Sequence, residues 1–362
     1  MTAADARRVP VAGRRGYIDW LRGVSVLIMI EAHTFDAWTR LDARHNGVYG
    51  WAMIVGGFAA PSFLFLAGMA LALAAGSRLR RGRTPEEVAA LARHRALQIF
   101  GFAFLFRLQS WVISGGDPAQ ALLKVDILNI MGLSMLAAAV LWSVGRSRLD
   151  RVTWLVVATA VVAMITPIVR SSPWLSPLPD PIEWYIRPIP GRGTFTLFPW
   201  AGFLLAGSAV GLWLDSARTP QDERRLNIAF AAVGLTIALA GYASSFMPPI
   251  YRESSFWTTS PTFFFLRLGV LMLSLPVAYA WDKAWVGRSI LQEFGRASLF
   301  IYWIHVELAY GVLSGPIHKT LTLGQAFVAY AIFTIALFGA AKLKDQIVDW
   351  WNVGRLQPSG AL

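Results

Sequence analysis

The chain has 362 residues, of which 56% are hydrophobic and only 15% charged, and its formal net charge is +12. Soluble domains carry nearer a quarter charged residues, so the composition excludes an ordinary water-soluble fold and points to an integral membrane protein. The lack of cysteine excludes disulfides, thiolate metal sites and a cysteine nucleophile. The basic residues fall in short segments between apolar runs, the pattern of cytoplasmic loops rather than of a nucleic-acid groove.

Windows of about 20 residues predict an all-α polytopic bundle of ten membrane spans, near 17–37, 51–75, 95–114, 124–144, 152–170, 193–214, 226–245, 261–281, 297–314 and 322–342. The first run is too long for a signal-peptide core and has charges inside it, so no cleavable signal is expected. Residues 1–16 read as a basic cytoplasmic segment, 17–345 as the membrane domain and 346–362 as a cytoplasmic tail. Of the 33 Lys and Arg, 22 fall inside when the N-terminus is cytoplasmic and 8 outside, with Arg22, Arg107 and Arg267 left within spans. Both termini are therefore predicted to be cytoplasmic. The outer segment 171–192 carries six prolines, which rule out a regular helix there.

The first span carries Asp19, Arg22, Glu31, His33 and Asp36. An ionisable group near the middle of a bilayer costs about 2.5–3.5 kcal/mol on insertion scales, so a helix serving only as an anchor would not carry five. Arg22 and His33 are eleven residues apart, which puts them on nearly one face and about 16 Å apart along the axis. Asp36, one turn beyond His33, is expected to orient its imidazole. His45 follows in the next outer loop, and a two-histidine cluster at the outer face would suit a general base or an acyl carrier near neutral pH. Asp126 at the outer mouth of the fourth span can cap that helix, hold a histidine tautomer, or both. Arg93, Arg95 and Arg107 enter the third span from the cytoplasmic side and suit the phosphates of a nucleotide-like donor. His305, with Tyr302 and Glu307 nearby, reads first as part of a buried structural network and otherwise as a tunnel wall. Arg267 is open to pairing with Glu307 or Glu31. The histidines lack metal-ligand spacing, so no metal is expected.

These residues sit in short motifs that occur in a fixed order: IDWLRG at 18–23 with the Arg-x10-His spacing, HNG at 45–47, PSFLFLAG at 61–68, VDILNIMG at 125–132, FPWAG at 198–202 and FGRASLFIYWIH at 294–305. In this the chain resembles the transmembrane acyltransferase superfamily, and most nearly the branch of heparan-α-glucosaminide N-acetyltransferase, a relative of the acyltransferase-3 proteins. The resemblance implies transfer of an acyl group, usually acetyl, from cytoplasmic acetyl-CoA or another acyl-CoA to a glycan amine or hydroxyl on the far side. It implies His45 as the essential histidine by one branch and His33 by the other. The chain has both, whereas the eukaryotic heparan enzymes carry Asn at the position of His33, so the choice stays open. Asp19 and Arg22 would organise the first helix, and Asp126 and Asn129 would orient the histidine or the acceptor. Asn129 stands where the bacterial branch commonly has Gln.

The expected setting is a bacterial inner membrane, with lipid and a small-molecule or glycan acceptor as partners, no nucleic acid, and room for a homodimer. A secondary transporter is the rival reading, because it too would carry ionisable residues in its spans. Transporters usually show repeated halves, and no such repeat is visible here.

Overall fold

The computed structural model describes residues 15–356 apart from 115–117, 194, 286 and 288. Arg7, Arg8, Arg14 and Arg288, counted above for orientation, lie outside the described residues, as does most of segment 1–16. Among the described residues the fold is helical, with two isolated β-bridges and no strand. The long helices are α1 (Gly16–Trp38), α3 (Ala59–Arg80), α4 (Pro85–Ser114), α5 (Ile127–Val144), α6 (Arg148–Ser171), α8 (Leu197–Leu214), α9 (Pro220–Ser244), α10 (Pro261–Ala284) and α13 (Leu323–Leu356). Shorter helices are α2 (Gly47–Gly56), α7 (Asp180–Glu183), α11 (Ile290–Arg296) and α12 (Ser298–Tyr310).

Among the described residues, eight segments are long and apolar enough to cross a membrane, with α2 and α3 together making one of them. The fold is thus that of an all-α integral membrane protein. Two expected spans fall outside those eight for physical reasons. α1 is long enough but carries Asp19, Arg22, Glu31 and Asp36, and α12 has only 13 residues.

Three boundaries differ from the sequence reading. The second span is broken at Gly57–Phe58, between α2 and α3, just ahead of Pro61, whose missing N–H and fixed φ suit a helix start. α4 begins ten residues earlier than expected, so Arg93 and Arg95 sit on a helix and not in a loop. α13 runs on to Leu356, and the expected domain boundary at 345 falls inside it. Its charged stretch from Lys342 onwards extends the helix beyond the apolar part, with Lys342 paired to Glu293 at 2.6 Å and Lys344 to Asp345 at 2.7 Å.

The core forms where helices approach closely. α8 lies innermost, packed on α3, α5 and α6. Its Gly207 meets α3 so tightly that a Cβ there would lie 1.9 Å from the Phe65 carbonyl oxygen. In a bilayer, where lipid is as apolar as leucine, such backbone approach is a main source of helix association. α1 is the hub of the other half, touching α2, α3, α10, α11, α12 and α13. α11 crosses it at Gly23, where a Cβ would be 1.9 Å from the Leu291 carbonyl oxygen.

Overpacking of a tight contact costs about 1–3 kcal/mol. Gly207→Ala is therefore expected to lower the melting temperature of the purified protein. Gly101→Ala, with nothing within 4 Å of the added carbon, should leave it unchanged or raise it slightly. Equal behaviour of the two variants in a thermal unfolding assay would refute the close α3–α8 packing.

Candidate active site

His33, Asp36 and Trp38, in the C-terminal half of α1, find partners on α12. His33 and His305, 272 residues apart in the chain, are joined by a 2.8 Å hydrogen bond between His33 Nδ1 and His305 Nε2. Their rings are parallel to within 3° with centroids 5.0 Å apart. With the nitrogens so close, this is an edge-to-edge arrangement in nearly one plane and not a face-to-face stack. His305 is fully buried, and its Nδ1 lies 2.9 Å from the backbone carbonyl oxygens of both Ile301 and Tyr302.

Carbonyls only accept, so Nδ1 of His305 carries the proton and its Nε2 is the acceptor. His33 must then donate from Nδ1. In the neutral pair the lone pair of His33 therefore sits on Nε2, the nitrogen free to take a proton. A backbone turn of α12 thus fixes the tautomer of a side chain on α1.

Two further ties hold the helices in register. Tyr310 donates to Asp36 Oδ2 at 2.9 Å, and Trp38 Nε1 donates to the Ala309 carbonyl at 3.0 Å. The expected Asp36–His33 pair is not formed. Asp36 is taken by Tyr310 and by Arg44, whose Nη1 lies 3.4 Å from Oδ1 and whose Nη2 also bonds the Asp36 carbonyl. The Tyr310 ring stands edge-on to His33, with centroids 5.5 Å apart, so the Asp36 charge reaches the imidazole past an aromatic wall. Arg44 also donates to the Thr39 carbonyl at 3.1 Å, clamping the turn Leu41–His45 onto the end of α1. His45 stands exposed on that turn and, among the described residues, makes no side-chain hydrogen bond. The histidine cluster predicted between His33 and His45 is in fact built from His33 and His305.

A second polar cluster lies where α4 meets α5. Asp126 caps α5, accepting from Leu128 N at 2.8 Å and Asn129 N at 3.4 Å, while Asn129 Oδ1 accepts from Asp126 N at 2.9 Å. The Asn129 amide also donates to the Tyr185 hydroxyl at 3.2 Å. Arg107 lies 3.4 Å from Asp126 Oδ2 and donates to the Lys124 carbonyl at 3.1 Å. The charged partner of Asp126 is therefore an arginine and not a histidine. Arg107 accordingly leaves the expected inner cluster, because twelve to fourteen residues of α4 set it about 18–21 Å along the axis from Arg95 and Arg93. Those two arginines are exposed in the N-terminal half of α4. Tyr302 links the clusters, with its ring 5.6 Å from Phe106 beside Arg107 and 5.8 Å from His305.

At the opposite end of α1, buried Asp19 lies 3.3 Å from Arg22 and 3.8 Å from Arg296. Sequence reasoning missed Arg44, Tyr185, Arg296 and Tyr310. Their partners are set by helix contacts between distant segments, and no local spacing marks them. Among the described residues no group of three or more His, Asp and Glu side chains could hold a metal ion.

A hub helix carrying a tautomer-locked histidine pair inside an apolar bundle defines a membrane protein with an enzyme-like polar centre. The chain matches the family model described as "Heparan-alpha-glucosaminide N-acetyltransferase, catalytic" over residues 14–251 and belongs to that family, which is one of acetyltransferases. No curated protein matches it. His33, His45, Asp126 and Asn129 lie within the matched stretch, while His305 and Tyr310 lie beyond it.

Breaking one half of a buried charge pair strands the other. Asp126→Ala and Arg107→Ala are each expected to lower the melting temperature, with Asp126→Ala falling further by the lost cap, about 1 kcal/mol. The double variant should fall by less than the sum of the two. Strictly additive losses would show that Asp126 and Arg107 do not interact.

Proposed function

We propose that the protein is a transmembrane acyltransferase that takes an acyl group, acetyl in the first instance, from cytoplasmic acyl-CoA. It delivers that group to an amine or hydroxyl of a sugar or glycolipid acceptor on the outer face. The proposal includes ten spans, with α1 and α12 joining the eight apolar segments, and both termini in the cytoplasm of a bacterial inner membrane. The observation that carries it is the His33–His305 pair, which holds an unprotonated Nε2 within an acetyltransferase-family bundle.

In this reading His33 Nε2 takes the proton of the acceptor N–H or O–H as the nitrogen or oxygen attacks the thioester carbonyl. The carbon–sulfur bond then breaks, and the proton on His33 is passed to the departing thiolate. His305 is a positioning residue: it accepts from His33 Nδ1 and keeps the imidazolium aligned. Asp36, fixed by Arg44 and Tyr310, supports the positive charge from beyond the Tyr310 ring. Arg93, Arg95, Arg22 and Arg296 supply cationic groups for coenzyme A phosphates on the inner side. The base is placed on His33 and not on His45, because the exposed His45 has, among the described residues, no hydrogen-bond partner to fix its tautomer.

General-base removal typically costs about 10²–10⁴ in rate. His33→Ala is expected to fall within that range in coenzyme A release and in acetylation of an amino-sugar and glycan panel, with purified protein in nanodiscs. His305→Ala should shift the pH–rate profile as well as lower kcat, which a purely structural role would not do. Loss of turnover in His45→Ala with His33→Ala unaffected would move the base to His45. Absence of coenzyme A release from wild type with every acceptor would defeat the acyl-transfer reading itself.

A further inference from the structure

Glu31 is two residues from His33, about 200° around α1, and so faces away from the histidine pair. It points to the break between α2 and α3, where its Oε2 would lie 3.5 Å from a Cβ on Gly56. Arg267 of α10 also reaches the break, where its Nη2 would lie 2.9 Å from a Cβ on Gly57. An acidic and a basic side chain thus meet the two adjacent glycines at the turn between α2 and α3.

Among the described residues neither side chain finds a polar partner: Glu31 Oε2 and Arg267 Nε are buried without a hydrogen bond, and the two residues form no ion pair with each other. The Arg267 guanidinium rests on the Phe263 ring at 3.9 Å, a contact that orients it but supplies no acceptor for its N–H groups. Both residues sit at similar depth, about 10 Å along their helices from Trp38 and from Pro261. Ionisable groups left without a polar partner in such a place are expensive, and a ligand that supplies the partners would relieve the cost.

We propose that the α2–α3 break is a binding site for a small zwitterion, with its ammonium against Glu31 and its phosphate or carboxylate against Arg267. A lone anion would give a partner to Arg267 alone and a lone cation to Glu31 alone, whereas a zwitterion partners both and adds no net charge to the bundle. The same chemistry is offered by a zwitterionic phospholipid headgroup and by a soluble compound. The site lies on the face of α1 opposite the proposed base and does not rest on the acyl-transfer reading.

The test is thermal unfolding of the full chain with O-phosphoethanolamine, compared with inorganic phosphate and ethanolamine given separately, and in nanodiscs of phosphatidylethanolamine compared with phosphatidylglycerol. The zwitterion is expected to raise the melting temperature more than either half does. A response to the free compound marks a soluble ligand, and a response confined to phosphatidylethanolamine nanodiscs marks a lipid headgroup. Glu31→Gln and Arg267→Gln should each weaken binding by at least about tenfold, the loss expected when one charge of a buried pair is removed. Without ligand, Glu31→Gln loses no ion pair, so its melting temperature should hold or rise. The proposal fails if no zwitterion stabilises wild type, if a single half stabilises as well, or if both variants respond as wild type does. The wild-type comparison decides the matter even if a variant does not fold.

Discussion

The structure depends on matching the polar side chains that α1 carries into an apolar bundle, with Glu31 the exception. Water is not at hand to solvate such groups, and each unmatched one costs several kcal/mol. The match comes from distant segments. Asp19 faces Arg296, His33 faces His305, Asp36 faces Tyr310 and Arg44, and Trp38 faces the Ala309 carbonyl. Four of these five partners lie in α11 and α12, two helices too short to cross a membrane by themselves. Their place in the bundle is fixed by what α1 requires of them, together with the close approach that Gly23 permits.

This arrangement makes the second half of the chain indispensable to a centre that begins in the first. The family match ends at residue 251, yet the tautomer of His33 is set by the carbonyls of Ile301 and Tyr302 acting through His305. A fully buried imidazole bonded at both nitrogens has little freedom to turn, so it transmits the direction of the α12 backbone to α1. Tyr302 extends the same connection towards Arg107 and Asp126 through Phe106.

The apolar runs were legible in the sequence because hydrophobic length is a local property. That α1 is the chemically loaded helix was equally plain from its charges. The break at Gly57–Phe58 was not, since a continuous apolar run from Trp51 to Ala75 hides a turn that only Gly-Gly and the later Pro61 hint at. The partner of His33 was illegible for a different reason. His45 is twelve residues away and His305 is 272 residues away, and a sequence favours the nearer of two candidates, whereas packing of α12 on α1 ignores that distance. Arg107 was misplaced along the membrane normal by the same local habit. It was grouped with Arg93 and Arg95 by adjacency, although one helix sets it about 18–21 Å from them along its axis.

Asn129 shows how a motif residue can be explained by what it touches. The amide common in the bacterial branch at this position is glutamine, and a longer side chain at the third helical position can also close a capping box. Here the shorter amide does so, its oxygen accepting from the Asp126 backbone while its nitrogen donates to Tyr185. Tyr185 comes from the proline-rich outer segment, and its own carbonyl accepts from Leu197 N at 2.7 Å, at the start of α8. Asn129 therefore joins the cap of α5 to the segment that leads into the innermost helix. With both ends of its amide engaged in that junction, the residue holds Asp126 in place for Arg107, and its bearing on the histidine pair is indirect.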